Sequence, residues 1–354
     1  MIKAHHLTGI FIFRYRFSHT EAHRFNLLFQ EETKMMDEKL VYLNGSFVPE
    51  SEAKVSVLDY GFNAGDGVYD VTRTFGHRPF KLREHTQRLY RSLTYTRIEC
   101  GLLIDEMEKA TLELLDRNKH LLGENDDFAM WQVVSRGVRP SSGKRLSGSA
   151  TVAIYCLTIN FREFARYYVE GAILVVPSTR RIPPQCLESK AKITNKMNHI
   201  IATFEAKQVD PNCIPLMLDI DGNISESNAH NFFLVLNGAI CTPIKKNVLG
   251  GITRETISSI AGELGIEVVE GEFTPYDVYS AEEAFLASTS PSIVPVKSLN
   301  GVGIGKEIPG PITLRLIEAW NKLVKVDIVR QALSHLDGQE REQFFKVWEK
   351  RQAA

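Results

Sequence analysis

From Leu40 onward the chain switches between two hydrophobic periods, which sort it into strands and helices. Val41-Tyr42-Leu43, Asn44-Gly45 and Ser46-Phe47-Val48 spell a hairpin, because Asn-Gly supplies the positive φ of a tight turn. Residues 67–75 alternate with β-branched and aromatic side chains, break at Gly76 and resume at Pro79-Phe80. Residues 84–98 and 105–118 carry helical spacing, the second with Met107, Leu112 and Leu115 among charges, and 129–134 and 150–159 read as further strands. The run 160–168 is polar and breaks the alternation.

The second half restarts with a strand at 172–176 and a Pro/Arg-rich loop at 179–184. Residues 192–206 read as helical after their first turn. Hairpins follow with turns at Asp221-Gly222 and Asn237-Gly238. A helix over 253–264 shows Ile257, Ile260, Ala261 and Leu264 on one stripe. Short apolar runs at 284–287 and 293–296 predict buried strands, and 311–326 an amphipathic helix. This is an α+β pattern in two units of similar size. The expected division is a smaller α/β domain over 37–159, a connection over 160–169, a larger domain over 170–327 and a helical C-terminal tail over 328–354. Residues 1–36 do not conform: five phenylalanines and four histidines mix with basic residues without a period. Their apolar run 7–13 is short, Arg14 closes it and no cleavage site follows, so they are not read as a signal peptide.

Composition narrows the function. A net charge of −1 over 354 residues gives no electrostatic footprint for nucleic acid or an anionic membrane. Five scattered cysteines without a CxxC pair argue for free thiols in a reducing compartment, the cytoplasm, and against a metal site. No apolar run approaches the roughly 18–20 residues that span a bilayer.

Three features carry candidate chemistry. Lys190, Lys192 and Lys196 cluster at a helix opening, where neighbouring cations and burial make an amine nucleophilic. Leu249-Gly250-Gly251-Ile252-Thr253-Arg254 runs straight into a helix, whose free N–H groups suit a phosphate. Glu226 is the only acid in the polar run 223–231, ahead of the apolar Phe232-Phe233-Leu234-Val235. Taken singly, each has a plain reading: a solvated basic turn, an ordinary capped helix and a solvated acid.

In order and spacing, Glu226, Asn231, Phe232-Phe233, Ile240-Cys241-Thr242 and 249–254 together resemble the signature of class IV aminotransferases, with Asn228 where the family carries a small residue. Asp59 to Phe75, Glu84-His85, Arg88-Leu89, Lys192, Asn195, Glu205-Ala206 and Ala287-Ser288-Thr289 resemble further family landmarks, over residues 38–325. The resemblance implies a fold-type IV enzyme: two α/β domains with pyridoxal 5′-phosphate (PLP) between them. It implies that Lys192, three residues before Asn195, forms the Schiff base. Glu226 then binds the pyridine nitrogen, and Arg88, the amides of Ile252 and Thr253, and Thr289 grip the phosphate. Tyr69, Val71, Arg73 and Ser290 line the substrate pocket. The implied activity moves an amino group between an amino acid or amine and a 2-keto acid by a ping-pong aldimine mechanism, in a homodimer or higher assembly.

Substrate class is left open by the residues. Tyr69, Val71 and Arg73 resemble the D-amino-acid transaminases, and Tyr69-Asp70-Val71 also the (R)-amine transaminases. Ser141 and Gly143, however, stand where the D-amino-acid enzymes trap a carboxylate. Arg139, Lys144 or Arg145 could rebuild that trap. Gln132 and Lys196 stand where branched-chain enzymes carry Arg and Tyr. Two alternatives share the PLP site: a lyase resembling aminodeoxychorismate lyase, and a PLP-binding homologue without turnover. Because regular patterning starts at Leu40, a chain beginning at Met36 is expected to be soluble, yellow and as active as the full chain. Precipitation or loss of cofactor colour would place residues 1–36 within the fold.

Overall fold

Residues 38–140 and 149–352 are described in a computed structural model of the chain. The extension 1–36 and the positions Ser141, Gly143, Lys144 and Arg145 lie outside the described residues. The first hairpin forms as its Asn-Gly pair requires: β1 (Leu40–Leu43) and β2 (Ser46–Pro49) turn through Asn44 and Gly45 at φ 49° and 96°. The chain continues through α1 (Tyr60–Ala64), β3 (Gly67–Phe75), β4 (Arg78–Pro79), α2 (Leu82–Thr96), α3 (Ile104–Asn118), β5 (Phe128–Ser135) and β6 (Thr151–Thr158). These strands make an antiparallel six-stranded sheet in the order β2-β1-β6-β5-β3-β4. Strand period decides what each face meets. Val68, Met130, Val134 and Ile154 pack in one cluster with Leu89 and Leu93 of α2 and Met107 and Leu114 of α3. Tyr69 and Val71, one step out of phase, belong to the opposite face.

The second half runs α4 (Arg162–Ala165), α5 (Tyr167–Glu170), β7 (Ala172–Val175), α6 (Met197–Val209), β8 (Ile214–Leu218), β9 (Ile224–Ser227), β10 (Asn231–Leu236), β11 (Ala239–Pro243), α7 (Ile252–Glu263), β12 (Val268–Gly271), α8 (Pro275–Tyr279), β13 (Glu283–Ser288), β14 (Ser292–Leu299), β15 (Val302–Gly303), α9 (Pro311–Val324), α10 (Ile328–Ser334) and α11 (Gly338–Gln352). Its strands order as β12-β11-β10-β13-β14-β7-β8-β9, and β9 also pairs with β10, so the sheet closes on itself. Phe232, Leu234, Leu286 and Val294 fill one side of it. Phe233 and Phe285 stack at 4.8 Å in the other cluster, with Ile257 of α7 and Trp320 of α9. That second cluster also contains Val71 and Phe75 of β3, and from Leu40 the chain forms one compact unit.

Two segments differ from the sequence reading, and a third gains a role that the reading did not include. The polar run 160–168 is largely helical, as α4 and α5, with Phe161, Phe164 and Tyr168 buried in the shared cluster. The first turn of 192–206, expected to precede the helix, is extended over residues 192–194, and helix begins at Met197. The reason is an open sheet edge. β4 pairs only with Thr74 and Phe75, so the start of β3 lacks a partner on that side. Residues 192–194 supply it: Tyr69 N donates to Lys192 O at 2.9 Å, Thr194 N donates to Gly67 O at 2.9 Å, and Val68 bridges Ile193. Finally, the C-terminal segment 328–352 is largely helical but integral, burying Ile328, Val329, Leu333, Phe344 and Trp348 in the shared cluster. Trp348→Ala is therefore expected to destabilise the fold by about 3–5 kcal/mol, measured by urea unfolding. A change near zero would show that α11 is an appendage.

Candidate active site

The face of β3 and β5 opposite α2 and α3 and the rim of the closed sheet enclose a cavity of about 840 Å³. Lys192 enters it from the strand-like segment just described, its Nζ 4.6 Å from the centre of the Tyr69 ring. Burial pulls the Lys192 pKa down to about 7, and the positive charges of Arg88 and Lys196 push the same way against Asp70 and Glu226. An amine in that range is substantially neutral at physiological pH and can attack a carbonyl.

Arg88 sits one helical turn after His85 on α2, and both meet the buried Asp70 of β3. Arg88 Nε and Nη2 donate to Asp70 Oδ2 and Oδ1, each at 2.8 Å, and Nη1 donates to Gly250 O at 3.0 Å. His85 Nδ1 hydrogen-bonds with Asp70 Oδ1 at 2.7 Å. Burial disfavours the Asp70 carboxylate, yet Arg88 and His85 hold it well below the usual carboxylate range. The fork of Arg88 is thereby fixed at the edge of the cavity that Arg88 helps to line.

Glu226 leaves β9 with both oxygens engaged. Its Oε1 accepts from Arg181 Nε at 3.1 Å, and its Oε2 accepts from Leu249 N at 2.9 Å and from Asn231 Nδ2 at 3.4 Å. Asn231 Nδ2 also donates to Leu249 O at 3.0 Å, tying β10 to the loop before α7. A Cβ on Gly251 would lie 2.1 Å from Asn231 Oδ1, so only glycine lets this loop approach. Gly251 caps α7 without a side-chain partner, and Ile252 and Thr253 line the cavity with first-turn amides that have no intrahelical acceptor. Thr289 and Ser290 lie in the turn between β13 and β14, which is held from behind: Arg73 Nη1 donates to Ser290 O and the Tyr168 hydroxyl donates to Pro291 O.

The cavity thus gathers Tyr69, Val71, Arg88, Lys192, Glu226, Ile252, Thr253, Thr289 and Ser290. Arg73 does not line it, which corrects its reading as a pocket residue. Its guanidinium is 1% exposed, lies 4.1 Å from the centre of the Phe75 ring and donates to Gln331 Oε1 at 2.7 Å. Gln132 is turned away as well, with Nε2 donating to Thr111 Oγ1 at 2.8 Å on the helical side. The β5 residues facing the cavity are Ala129 and Trp131, and Trp131 stacks on Tyr69 at 5.2 Å and on Tyr155 at 5.9 Å. Asp70, His85, Arg181 and Trp131 were missed as contributors. Strand alternation from Tyr69 and Ala129 could have found Trp131, and an acid inside an apolar strand could have flagged Asp70. Arg181 gave no signal, since it reaches Glu226 only through the tertiary fold.

Residues 67–299 match the family described as amino-transferase class IV. The chain belongs to that family. The enzyme is 36% identical over 287 residues to a putative branched-chain-amino-acid aminotransferase of Methanocaldococcus jannaschii, covering 80% of this chain and 96% of that one. It also resembles the solved branched-chain aminotransferase of Thermoproteus uzoniensis with norvaline, at TM-score 0.74 and 32% identity over 81% of this chain and 95% of that one. A third neighbour is a branched-chain aminotransferase from T.th. with pyridoxamine 5′-phosphate, at TM-score 0.75 and 30% identity over 81% and 94%. The enzyme is therefore a PLP-dependent aminotransferase, and neither the lyase nor the turnover-free alternative is favoured. The cavity suits that cofactor chemically: it offers a desolvated amine, a buried carboxylate, an uncapped helix start and a glycine held tight against Asn231.

Asp70 is the hinge of the cationic wall. Replacing it with Asn leaves Arg88 buried without its counter-ion, and a loss of about 3–5 kcal/mol is expected in urea unfolding near neutral pH. The native pKa of Asp70 is depressed, so the wild type holds this stabilisation above the ordinary carboxylate range and loses it as pH falls toward the native value. The gap between wild type and Asp70→Asn should narrow in acid. A gap independent of pH would show that Asp70 acts by shape alone.

Proposed function

We propose that this aminotransferase acts on amino acids with apolar side chains, with Lys192 as the residue that bonds the cofactor and carries the proton. The carrying observation is the desolvated Lys192 amine over the Tyr69 ring, which stacks on Trp131, in a cavity also lined by Arg88, Ile252, Thr253 and Thr289. In this reading Arg88, the amides of Ile252 and Thr253, and Thr289 hold the cofactor phosphate. Glu226, steadied by Arg181 and Leu249 N, faces the pyridine nitrogen. When bound, PLP supplies an electron sink for the pair left when the substrate loses its α-proton. Lys192 plays the complementary part. Once the amino substrate takes its place, its free amine moves that proton. The substrate side chain lies against Trp131, Val71 and Leu157, three residues without charge, and the branched-chain activity named for the relatives supports an apolar donor.

The working unit is a homodimer in the same proposal. Met197, Ile200, Ile201 and Phe204 on α6 and Val57, Leu58 and Phe62 around α1 are exposed apolar residues that a second copy would cover. Among the described residues no helix is long and apolar enough to cross a membrane. The five cysteines are unpaired, which supports a cytoplasmic site of action.

Borohydride reduction of the PLP-loaded protein followed by peptide mapping tests the assignment. The pyridoxyl mass is expected on Lys192, and its rate of appearance in apo-protein should rise with pH through about 7, as the amine loses its proton. L-Leucine should convert the cofactor faster than D-alanine or (R)-1-phenylethylamine. Glu226→Gln should keep the cofactor while kcat falls roughly 10²–10³-fold, about 3–4 kcal/mol. A label on Lys190 or Lys196, or normal turnover in Glu226→Gln, overturns these roles.

A further inference from the structure

The cavity's positive charges are not all accounted for. Arg88 is committed to Asp70 and Gly250 O, Arg181 to Glu226, and Lys192 to the cofactor. Lys207 lines the cavity but is exposed. Lys196 is different. It is half-buried in the wall, its Nζ stands 5.7 Å from the centre of the Tyr69 ring, and among the described residues that ammonium has neither a hydrogen bond nor an ion pair. Burial lowers its proton affinity, while Glu226 favours the charge without touching it. A confined ammonium with only a ring face for company is under-compensated, and a carboxylate in the cavity would complete it.

Geometry says which carboxylate. Lys192 and Lys196 share one ring, at 4.6 and 5.7 Å from its centre. A substrate whose nitrogen takes the place of the Lys192 amine carries its α-carboxylate on Cα, with the carboxyl carbon two bonds from that nitrogen. Among the described residues no other part of the wall offers a free cation there: Arg73 is turned away, and Arg139 is exposed. We propose that Lys196 binds the α-carboxylate of the amino substrate, and so makes the enzyme select amino acids over simple amines. This rests on the Lys192 reading above.

The experiment titrates the PLP-loaded protein with isocaproate and with its neutral isostere isocaproamide, by calorimetry, in wild type, Lys196→Met and Lys196→Arg. Wild type is expected to bind the acid about 10- to 100-fold more tightly than the amide. Lys196→Met should abolish that preference by weakening the acid alone, and Lys196→Arg should keep part of it. In half-reactions, Lys196→Met should lose far more in KM with L-leucine and D-alanine than with (R)-1-phenylethylamine. The proposal is overturned if acid and amide weaken together, if the acid preference survives, or if the variant releases PLP, which would make Lys196 a cofactor anchor. Failure of the Lys192 reading looks different: acid binding would depend on Lys196 while no amino compound converts the cofactor in wild type.

Discussion

The hydrogen bond from Tyr69 N to Lys192 O is the contact on which the site depends. It belongs to a short ladder by which residues 192–194 complete the open edge of β3. A backbone edge in a buried place must be paired, and the segment that pairs it cannot at the same time be helical. The ladder therefore does two things at once. It sews the second half of the chain to the first sheet, and it brings the amine of Lys192 over the ring of the residue that donates the bond.

The charges around that amine follow from the same closeness. Bringing Arg88, Arg181, Lys192 and Lys196 to one cavity is costly unless each finds an anion. Asp70 and Glu226 answer for the two arginines, through a buried bidentate pair and a shared carboxylate. Among the described residues the two lysines have no carboxylate in contact, and both have lowered proton affinity by burial. The arrangement separates permanently charged anchors from adjustable amines, as the chemistry of the two side chains would dictate. A further layer is structural: Arg73 joins the Ser290 carbonyl to Gln331, and Gln331 Nε2 donates to Asp127 Oδ2 at 2.7 Å, so α10 braces the turn that carries Thr289.

Most strands and helices were legible because their periods are clean. β3, α2, α3, β10, α7 and β13 lie within a few residues of where alternation and helical spacing put them. The failures share a cause. The run 160–168 looked like a connection because its polar residues mask Phe161, Phe164 and Tyr168, which pack at short helical intervals. Residues 192–196 were legible only as the turn before a helix, because local spacing does not know that an edge of β3 is vacant. The C-terminal helices looked like a tail because their charged faces outnumber the few side chains, Trp348 among them, that reach the core.

The sequence by itself determined the residue types of the site and their order: a lysine in register with Asn195, an acid before an apolar strand, glycines before a helix, an arginine one turn after a histidine. These are local facts of spacing, and spacing survives folding. Which of them face one cavity was decided only in three dimensions. Strand alternation sent Tyr69, Val71 and Trp131 to one side and Asp70 and Gln132 to the other, and Arg73 was drawn off by Ser290 and Gln331. Arg181 reached Glu226 across 45 residues of chain. Such pairings rest on burial and on the need to neutralise charge away from water, and both exist only once the core has closed.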